Sequence, residues 1–565
     1  MRKAGPFLVL SISILFILIC TGKSFSQVEY VNASHKVYDF LDRMLVNKVI
    51  STYSSSMRPI TRKEVAGYLI EINDKRQTIS KTDRQFLDDY MVEFEYDIHK
   101  TLKTTSSFFS DVKVTDIFRD KKQKYLYAGY DSSVSIFWDG LANLRYIGTK
   151  SDSMGNPHVL LAEIGTSIRG TLFNSVGYFL RISNGAKING DATLAAQFDP
   201  VLASTRKFVS EGSKTFDSFE GYINYATSSN WLDLTFGRTP LRIGTGFLDN
   251  LVLSNTNSAP FDFIKFDIKY KKIKYTFFHS SIVGHDSLGT QLSSKYQVFH
   301  RVELGPFFKN NILKLGFSEM LLYSNVPINL TFLNPLSFIT SADLNTELPG
   351  KNTNNTLIAL DVQVFLVKKL AIQGTWLIDD MNFSTIGKKD KTSDDNKFGF
   401  QGGVNWQDAF TVKNMSFTYE FTHIDPFVYS HRDINNSYTN WDLPIGAALN
   451  PNSDEHAFKV SYDFGSRLNI AITYKLQRTG LNYDSAGILI NVGSNILNGS
   501  GDNLRYNQFL NGTRVNTNII IAEITWQPIR QYFFTLKYEN MSFNYKDLNR
   551  TSSESVFFGT FRVEY

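Results

Sequence analysis

Residues 555–565, SVFFGTFRVEY, end the chain on a strand with two unlike faces. One parity of this segment is apolar or small, with Phe557, Gly559, Phe561, Val563 and Tyr565. The other parity ends in Thr560, Arg562 and Glu564. A strand with one lipid-compatible face and one polar face is typical of transmembrane β-barrels. As a last strand it would pair with the first, so that no edge faces lipid. The terminal Tyr565 fits the aromatic signal read by the barrel-assembly machinery, with Tyr in place of the commoner Phe.

The same period of two repeats through most of the chain. It is clear in MSFTYEFTH (415–423), AFKVSYDF (457–464), LNIAITYKL (468–476) and YFFTLKYE (532–539). Alternation begins near residue 125, and the segments counted from residue 132 predict about 18 strands, an even number as in bacterial single-chain barrels.

The lengths of the connections favour a membrane barrel over a large soluble β-sandwich. Tight joins are predicted at 174–176, 227–230, 271–272, 367–369, 465–467 and 528–530. Long polar joins are predicted near 189–215, 244–260, 325–354, 381–396, 426–454 and 479–513. Short periplasmic turns and long external loops alternate in this way in transmembrane barrels, which would put both chain ends on the periplasmic side.

The first 26 residues are predicted to be a signal peptide. Arg2 and Lys3 precede an apolar run, and Ser24 and Ser26 suit a cut before Gln27. The alternative is a lipoprotein signal at Cys20, but Ile19 stands before it where Gly, Ala or Ser is expected. A cut after Ser26 leaves no cysteine, which excludes a disulfide scaffold.

Residues 27–100 are predicted to form a small helical bundle in the periplasm. Apolar residues recur at three and four in VYDFLDRMLVNKVI (37–50), and TRKE (61–64) and TDRQ (82–85) resemble helix starts. A linker, 101–131, would lead into the barrel, 132–565.

The totals exclude several classes of protein. The 565 residues carry a net charge of +5 without a basic stripe among aromatics, so nucleic acid is not an expected partner. After the signal peptide there is no apolar run of the length a spanning helix needs.

Several segments together resemble the Wzi-type capsule-assembly outer-membrane proteins. The similar stretches are the helical segment 37–69, then 237–264, 300–306, 315–324, 376–383 and 427–456. The resemblance implies an 18-stranded barrel with a periplasmic helical bundle. It also implies a non-enzymatic role in holding surface polysaccharide, with no cofactor.

Charges of both signs fall on the polar parity of the strands. They are Glu420, Lys459, Asp463, Lys475, Glu523, Lys537, Glu539, Arg562 and Glu564. Interior charges can pair across strands, and a buried charge without a partner is costly. The set indicates an ion-pair network that stiffens the barrel or, alternatively, the lining of a selective pore.

The loop 427–444 is the leading candidate for sugar binding, because it combines aromatic faces with amide and carboxylate groups. The candidate residues are Tyr429, Asn435, Asn436, Tyr438, Trp441 and Asp442. An interfacial aromatic girdle would produce the same composition. The loop 482–508 is a second candidate.

Three functions stay open from the residues alone. The first is a polysaccharide-binding barrel in the outer membrane, expected to be a monomer in contact with lipid. The second is a transport channel for a small or hydrophobic substrate. The third is a rim hydrolase using His423, Asp425, His431 and Asp433, although no positioned serine or oxyanion element accompanies them. The same four residues match no closed zinc pattern, so no metal site is expected.

Overall fold

The computed structural model describes residues 27–111, 118, 120–152, 155–209, 212–285, 294–308, 310–346, 354–381, 396–484, 486–500 and 508–565. The predicted signal peptide lies outside the described residues, as do parts of the linker and of four long loops.

Eighteen antiparallel strands form one closed barrel. They are β1 Ser135–Ser151, β2 His158–Leu172, β3 Val176–Gly190, β4 Thr215–Ala226, β5 Leu232–Arg238, β6 Asp262–Tyr270, β7 Ile273–Val283, β8 Ser294–Phe307, β9 Leu313–Ser324, β10 Asn355–Val364, β11 Leu370–Asp380, β12 Lys397–Gln407, β13 Met415–Ile424, β14 Ser453–Asp463, β15 Leu468–Leu481, β16 Thr513–Trp526, β17 Tyr532–Tyr545 and β18 Arg550–Glu564. The barrel and the strand number predicted from the period of two are confirmed.

The carboxyl-terminal strand closes the barrel. In the β18–β1 pair, Phe561 lies opposite Leu144 and Glu564 opposite Leu141. The backbone amide of Tyr565 donates to the carbonyl of Gly140 at 2.8 Å. A short strand, Tyr127–Tyr130, then pairs with the first residues of β1 beyond the end of β18. Both edges that a barrel would otherwise leave open are therefore paired.

The barrel is apolar outside and polar inside. On β5, Leu234 and Phe236 point outward and are exposed, whereas Asp233 and Thr235 point inward and are buried. A soluble sandwich has the opposite arrangement, with apolar residues inside and polar residues outside. The arrangement seen here fits a wall that faces acyl chains. Within the described residues, no helix is both long and apolar enough to cross a membrane.

Connections at the two ends of the barrel differ in length. One end carries turns of two to seven residues, at 173–175, 227–231, 271–272, 308–312, 365–369, 408–414, 464–467 and 527–531. The other end carries the long connections at 191–214, 239–261, 325–354, 381–396, 425–452 and 482–512, together with shorter ones at 152–157, 284–293 and 546–549. We call these the short-turn end and the long-loop end.

Short helices precede the barrel, as predicted. They are α1 Val37–Val46, α2 Arg62–Asp74, α3 Lys81–Glu93, α4 Glu95–His99 and α5 Phe108–Asp111. The capping box expected at Thr61 and Glu64 is present. The third helix begins earlier than predicted, since Ser80 is its N-cap and forms a capping box with Asp83.

The helical region closes the short-turn end of the barrel. Arg43 pairs with Asp463 at 2.7 Å, and Asp89 accepts hydrogen bonds from Arg467 and Arg530. Ahead of the helices, Glu29 enters the lumen and pairs with Arg169 at 3.0 Å. The segment is thus tied to the inner wall as well as to the turns.

Long loops fold into the lumen from the opposite end. The loop 191–214 carries α6 Ala192–Phe198, α7 Pro200–Ala203 and α8 Arg206–Val209, and packs on the inner wall of β1, β2, β4 and β18. The loops 239–261 and 425–452 form a second apolar cluster against β6–β11. In the lumen, the short strand Met57–Arg58 pairs with Arg242–Ile243, so segments from the two ends meet. We call the loops 239–261 and 425–452 the inner plug.

One long loop turns outward instead. Residues 325–346, the outer flap, include α9 Ile339–Thr346 and cover the outer wall of β7–β9. Glu319 has outward parity, and it accepts hydrogen bonds from Ile339 and Thr340 at the start of α9. The flap therefore shields a carboxylate that would be costly against lipid.

Candidate functional site at the long-loop mouth

The loop 425–452 is held in the mouth of the barrel by buried hydrogen bonds. Lys295 on β8 donates through Nζ to the carbonyls of Ser437 and Thr439, both at 2.7 Å. Asn440 donates to the carbonyl of Ala259 at 3.0 Å. These bonds join the loop to the wall and to the other half of the inner plug, so its backbone is fixed.

Two of the predicted sugar-binding aromatics lie in the core of the inner plug. Tyr429 and Tyr438 are fully buried and stack with ring centroids 5.4 Å apart. Their hydroxyls donate to the carbonyls of Leu251 and Val252, at 2.7 and 2.6 Å. Gly446 is required here, because a side chain would collide with the Tyr429 hydroxyl and the Leu251 carbonyl.

Asn436 is also buried, and its carbonyl accepts a hydrogen bond from Asn355 at 2.9 Å. The structure thus places these three predicted sugar-binding residues, Tyr429, Asn436 and Tyr438, inside the inner plug. Their burial assigns them to the packing of the inner plug, since neither ring face is open to a sugar.

The other three candidates reach the surface of the mouth. Asp442 is exposed, and Trp441 and Asn435 are partly exposed. Asn435 lies in a short 3-10 helix, Ile434–Asn436, whose first turn is capped by Asp433.

Trp441 and Asp442 form the tip of a tight hairpin. Thr439–Asn440 pairs with Leu443–Pro444, and both tip residues are left-handed, with φ of 55° and 62°. Such two-residue turns usually carry Asn and Gly, because a side chain is disfavoured at positive φ. Aspartate tolerates this conformation, but for a bulky tryptophan it is strained. Strain of this kind gathers at binding sites, where surrounding structure maintains it.

A histidine from another loop is a polar neighbour of the hairpin tip. His285 Nδ1 lies 3.0 Å from Asp442 Oδ1. The Trp441 amide donates to the carbonyl of Val283 at the end of β7, at 3.2 Å. The tip thus presents an indole, a carboxylate and an imidazole on a rigid support.

Below the mouth, one lumen carboxylate organises the inner plug. Glu420 on β13 accepts the backbone amides of Phe247, Leu248 and Asp249, at 2.6, 3.2 and 3.1 Å. The three converging amides, together with the side chain of Gln373 at 3.2 Å, satisfy this buried carboxylate.

Asp249 extends this connection to the candidate loop. Its carboxylate accepts from the amide of Ala448 at 2.7 Å and from the side chain of Asn257 at 3.1 Å. Burial raises the pKa of Asp249 above its usual value. The hydrogen bonds from Ala448 and Asn250 oppose this increase in the pKa, because they favour the carboxylate.

The other predicted lumen charges all point inward. Asp463 pairs with Arg43, Lys475 with Glu455 at 3.1 Å, Lys537 with Glu539 at 2.9 Å, and Glu564 with Arg181 at 3.0 Å and with Arg562 at 3.8 Å. Glu523 lies opposite Lys537 on the neighbouring strand and accepts from Thr525. Lys459 lies between Thr418 and Thr473. These inward charges therefore link neighbouring strands to each other and, through Asp463 and Arg43, link the barrel to the helical region.

The histidine and aspartate pairs lie in different surroundings. His423 lies 3.0 Å from Asp425 but has outward parity and packs against Phe400 and Phe509. His431 belongs to the buried part of the mouth and accepts from the amide of Asp433 at 3.1 Å. Among the described residues, no group of three or more His, Cys, Asp and Glu could hold a metal ion.

Sequence reasoning missed three contributors to this site. Lys295, His285 and Asp249 come from loops or strand ends that are distant in the chain from residues 427–444. The stretch 244–250 belongs to a join predicted only as long and polar, and nothing in its composition indicated that it folds inward to meet Glu420.

Comparison with known proteins places the chain in a family. No curated protein matches it. Among solved structures, the chain is similar to Wzi from Escherichia coli, described as an outer membrane protein involved in group 1 capsule assembly and as a carbohydrate-binding β-barrel. The TM-score is 0.54 at 12% identity, over 94% of this chain and 99% of that one.

Less similar folds include OccAB4 of Acinetobacter baumannii and OccK1 of Pseudomonas aeruginosa. Each has a TM-score of 0.45; identity is 10% over 76% of this chain and 98% of OccAB4, and 9% over 77% of this chain and 100% of OccK1. The family model for the capsule assembly protein Wzi matches residues 180–523, more than half of the chain. The chain is an outer-membrane β-barrel that belongs to the Wzi capsule assembly family.

Proposed function

We propose that this outer-membrane barrel binds surface polysaccharide at its long-loop mouth, with the Trp441–Asp442 hairpin tip as the central contact. The observation that carries the proposal is the strained tip itself, which displays an aromatic plane beside a carboxylate on a fixed support. Membership of the capsule assembly family supports the class of ligand, as does the description of Escherichia coli Wzi as carbohydrate-binding.

Each group at the tip has a role that follows from sugar chemistry. A sugar ring offers C–H faces, which stack on the electron-rich face of an indole. Its hydroxyls donate to the carboxylate of Asp442, in hydrogen bonds strengthened by the charge. The partly exposed side chain of Asn435 supplies a donor, its amide nitrogen, for the next residue of the polymer.

A rigid support makes such weak contacts useful. Lys295 and Asn440 fix the base of the hairpin, so little conformational entropy is lost when the ligand binds. A long polymer adds further contacts along the mouth, where loop 482–500 exposes Ile488 and Leu489. The function is binding and retention, without a chemical step.

The orientation is part of the proposal. The long-loop end faces outward, and both chain ends and the helical region face the periplasm, as the turn lengths favour. We also propose a cleaved signal peptide, 1–26, ahead of a bundle, 27–100, a linker, 101–131, and the barrel, 132–565. In this proposal the barrel-assembly machinery inserts the protein into the outer membrane, where it is a monomer.

The inward charges serve as a stiffening network in this proposal. Ion pairs such as Lys475 with Glu455 link neighbouring strands, and Glu420 holds the inner plug. A transport channel would need an open lumen, and the inward-folded loops do not favour one.

Substitution at the tip tests the proposal. Trp441→Ala should weaken binding of purified protein to polysaccharide extracted from the producing cells by about tenfold or more, as for a central aromatic contact. Trp231→Ala is the matched control, because Trp231 is exposed in a turn at the opposite end of the barrel. Unchanged binding by Trp441→Ala would remove the hairpin tip from the site.

A further inference from the structure

The outer wall of the barrel carries an apolar groove of about 750 Å³ across β8–β13. Most of its lining residues have outward parity, among them Leu304, Leu315, Leu360, Trp376 and Phe400. Trp376 and Phe400 stack in parallel, with centroids 6.2 Å apart, and form a flat aromatic shelf along one side. At another edge, Phe338 of the outer flap stacks on Phe317 at 6.3 Å.

Two glycines form the floor of the groove. Gly374 on β11 and Gly402 on β12 lie directly opposite each other and both point outward. Neither has a positive φ, and an added Cβ would meet no atom closer than 3.5 Å at Gly374 or 3.9 Å at Gly402. The fold therefore does not require glycine at either position.

Glycine in the middle of a strand weakens it, and it often marks a place where a ligand comes close to the backbone. Here the missing side chains open a depression in a wall that is otherwise covered by large apolar residues. Because the depression is on the outer wall, the molecules that can occupy it are those of the surrounding membrane.

The dimensions favour a hydrocarbon chain over a protein segment. The two glycines are on adjacent strands, about 4.8 Å apart, whereas an α-helix with side chains is about 10–12 Å across. The lining is almost wholly apolar, so it offers no partners for the polar backbone of an irregular peptide.

The groove lies toward the short-turn end of the wall. Leu315 is two residues from the start of β9, and Val362 is two residues from the end of β10. The turns below it, 365–369 and 408–414, expose Leu366, Val367, Phe410 and Val412. Apolar residues at this level are typical of the boundary between acyl chains and headgroups.

The same turns supply positive charge at headgroup level. Lys368 and Lys413 are exposed, and neither forms an ion pair within the described part of the chain. Lysines near a membrane surface attract anionic lipids. Cationic turns below an apolar groove match the two parts of an anionic phospholipid.

We propose that this groove is a binding site for one anionic glycerophospholipid of the periplasmic leaflet. An acyl chain lies over Gly374 and Gly402 against the Trp376 shelf, and the phosphate lies near Lys368 and Lys413. The choice of leaflet rests on the orientation proposed above, but the site does not depend on polysaccharide binding.

Trp376 reports on the groove directly. The protein is reconstituted in zwitterionic bilayers containing a small fraction of phosphatidylglycerol brominated on its acyl chains, which quenches tryptophan on contact. The contribution of Trp376 is obtained by difference from Trp376→Phe. Quenching of this residue should exceed that given by the same fraction of brominated zwitterionic lipid.

Filling the groove should abolish the preference for phosphatidylglycerol over zwitterionic lipid. Gly374→Leu with Gly402→Leu should lower the apparent affinity for phosphatidylglycerol by roughly tenfold, and Lys368→Glu with Lys413→Glu should do the same while leaving the wall intact. Gly221→Leu is the matched control, an outward-facing strand glycine beside Leu180 on the far side of the barrel. Polysaccharide binding, measured on the same samples, should stay unchanged in all of them.

Native mass spectrometry provides a second measurement. One phospholipid should remain bound to the wild type and to Gly221→Leu, and it should be lost from the two double variants. Equal quenching by both lipids, a lipopolysaccharide in place of the phospholipid, or a dimer that dissociates when the groove is filled would each overturn the proposal.

Discussion

Asp89 connects the helical region to two turns of the barrel. It lies on α3 and accepts from Ser466 at 2.7 Å, from Arg467 at 2.8 Å and from Arg530 at 2.6 Å. The two arginines belong to different short turns, 464–467 and 527–531. Asp89→Asn keeps the size of the side chain but removes the charge on which both guanidinium groups converge.

The free-energy cost of Asp89→Asn follows from the burial of the groups involved. Arg530 is only 8% exposed at its side chain, so its charge is poorly solvated once Asp89 is neutral. Removing one partner of a buried ion pair costs about 3–5 kcal/mol. Asp89 itself is 22% exposed, and Asp120 still pairs with Arg467, so we expect the lower end of that range, about 3 kcal/mol. This corresponds to about a 150-fold shift toward detachment of α3.

Hydrogen exchange of the amides of α3 in reconstituted protein measures this shift. Asp88→Asn is the matched control, because Asp88 is the adjacent residue and pairs with Arg76 in solvent, with side chains 58% and 35% exposed. An exposed pair contributes about 0–1 kcal/mol, so the control should exchange almost as the wild type does. Equal exchange in the two variants would refute the view that Asp89 anchors the helical region.

Three further predictions concern the short-turn end, the lumen and the assembly of the barrel in the outer membrane. Burial alone would raise the pKa of Glu64 and Glu93, but Lys269 and His35 outweigh it and lower both pKa values to about 2, from 4.5. Of these, the Glu64–Lys269 pair joins the helices to the barrel wall, so docking should weaken as the pH falls from 4.5 toward 2, which proteolysis of the region across that range would detect. In planar bilayers the wild type should give no large steady conductance, because loops fill the lumen, and a large constant conductance would favour the channel. Deleting residues 561–565 removes the pairing of β18 with the first half of β1 and should abolish outer-membrane assembly, measured by membrane fractionation.

The barrel could be predicted because its signal is local and repeated. On β5 and β18 alike, the period of two separates a lipid face from a lumen face, and each further strand adds to the same pattern. Parity also assigned Glu420 to the interior correctly. Its partners, the amides of residues 247–249, lie more than 170 residues away in the chain, and no local pattern joins them.

The candidate site was only partly predictable, because an aromatic residue in a loop has the same composition whether it is packed or exposed. Tyr438 and Trp441 are three residues apart, yet one is in the core of the inner plug and the other is at a hairpin tip. Which of them faces solvent depends on how two long loops meet inside the barrel. The outer flap was unpredictable for the same reason, since its cover of Glu319 is a tertiary contact.

Retention of polysaccharide on living cells tests the central claim most directly. Surface-bound and released polysaccharide are measured in cells that lack the protein and in cells supplied with the wild type or with Trp441→Ala and Asp442→Asn combined. The account predicts that polysaccharide is shed without the protein, and that only the wild type restores retention at equal barrel levels in the outer membrane. Full retention in the cells that lack the protein would contradict it.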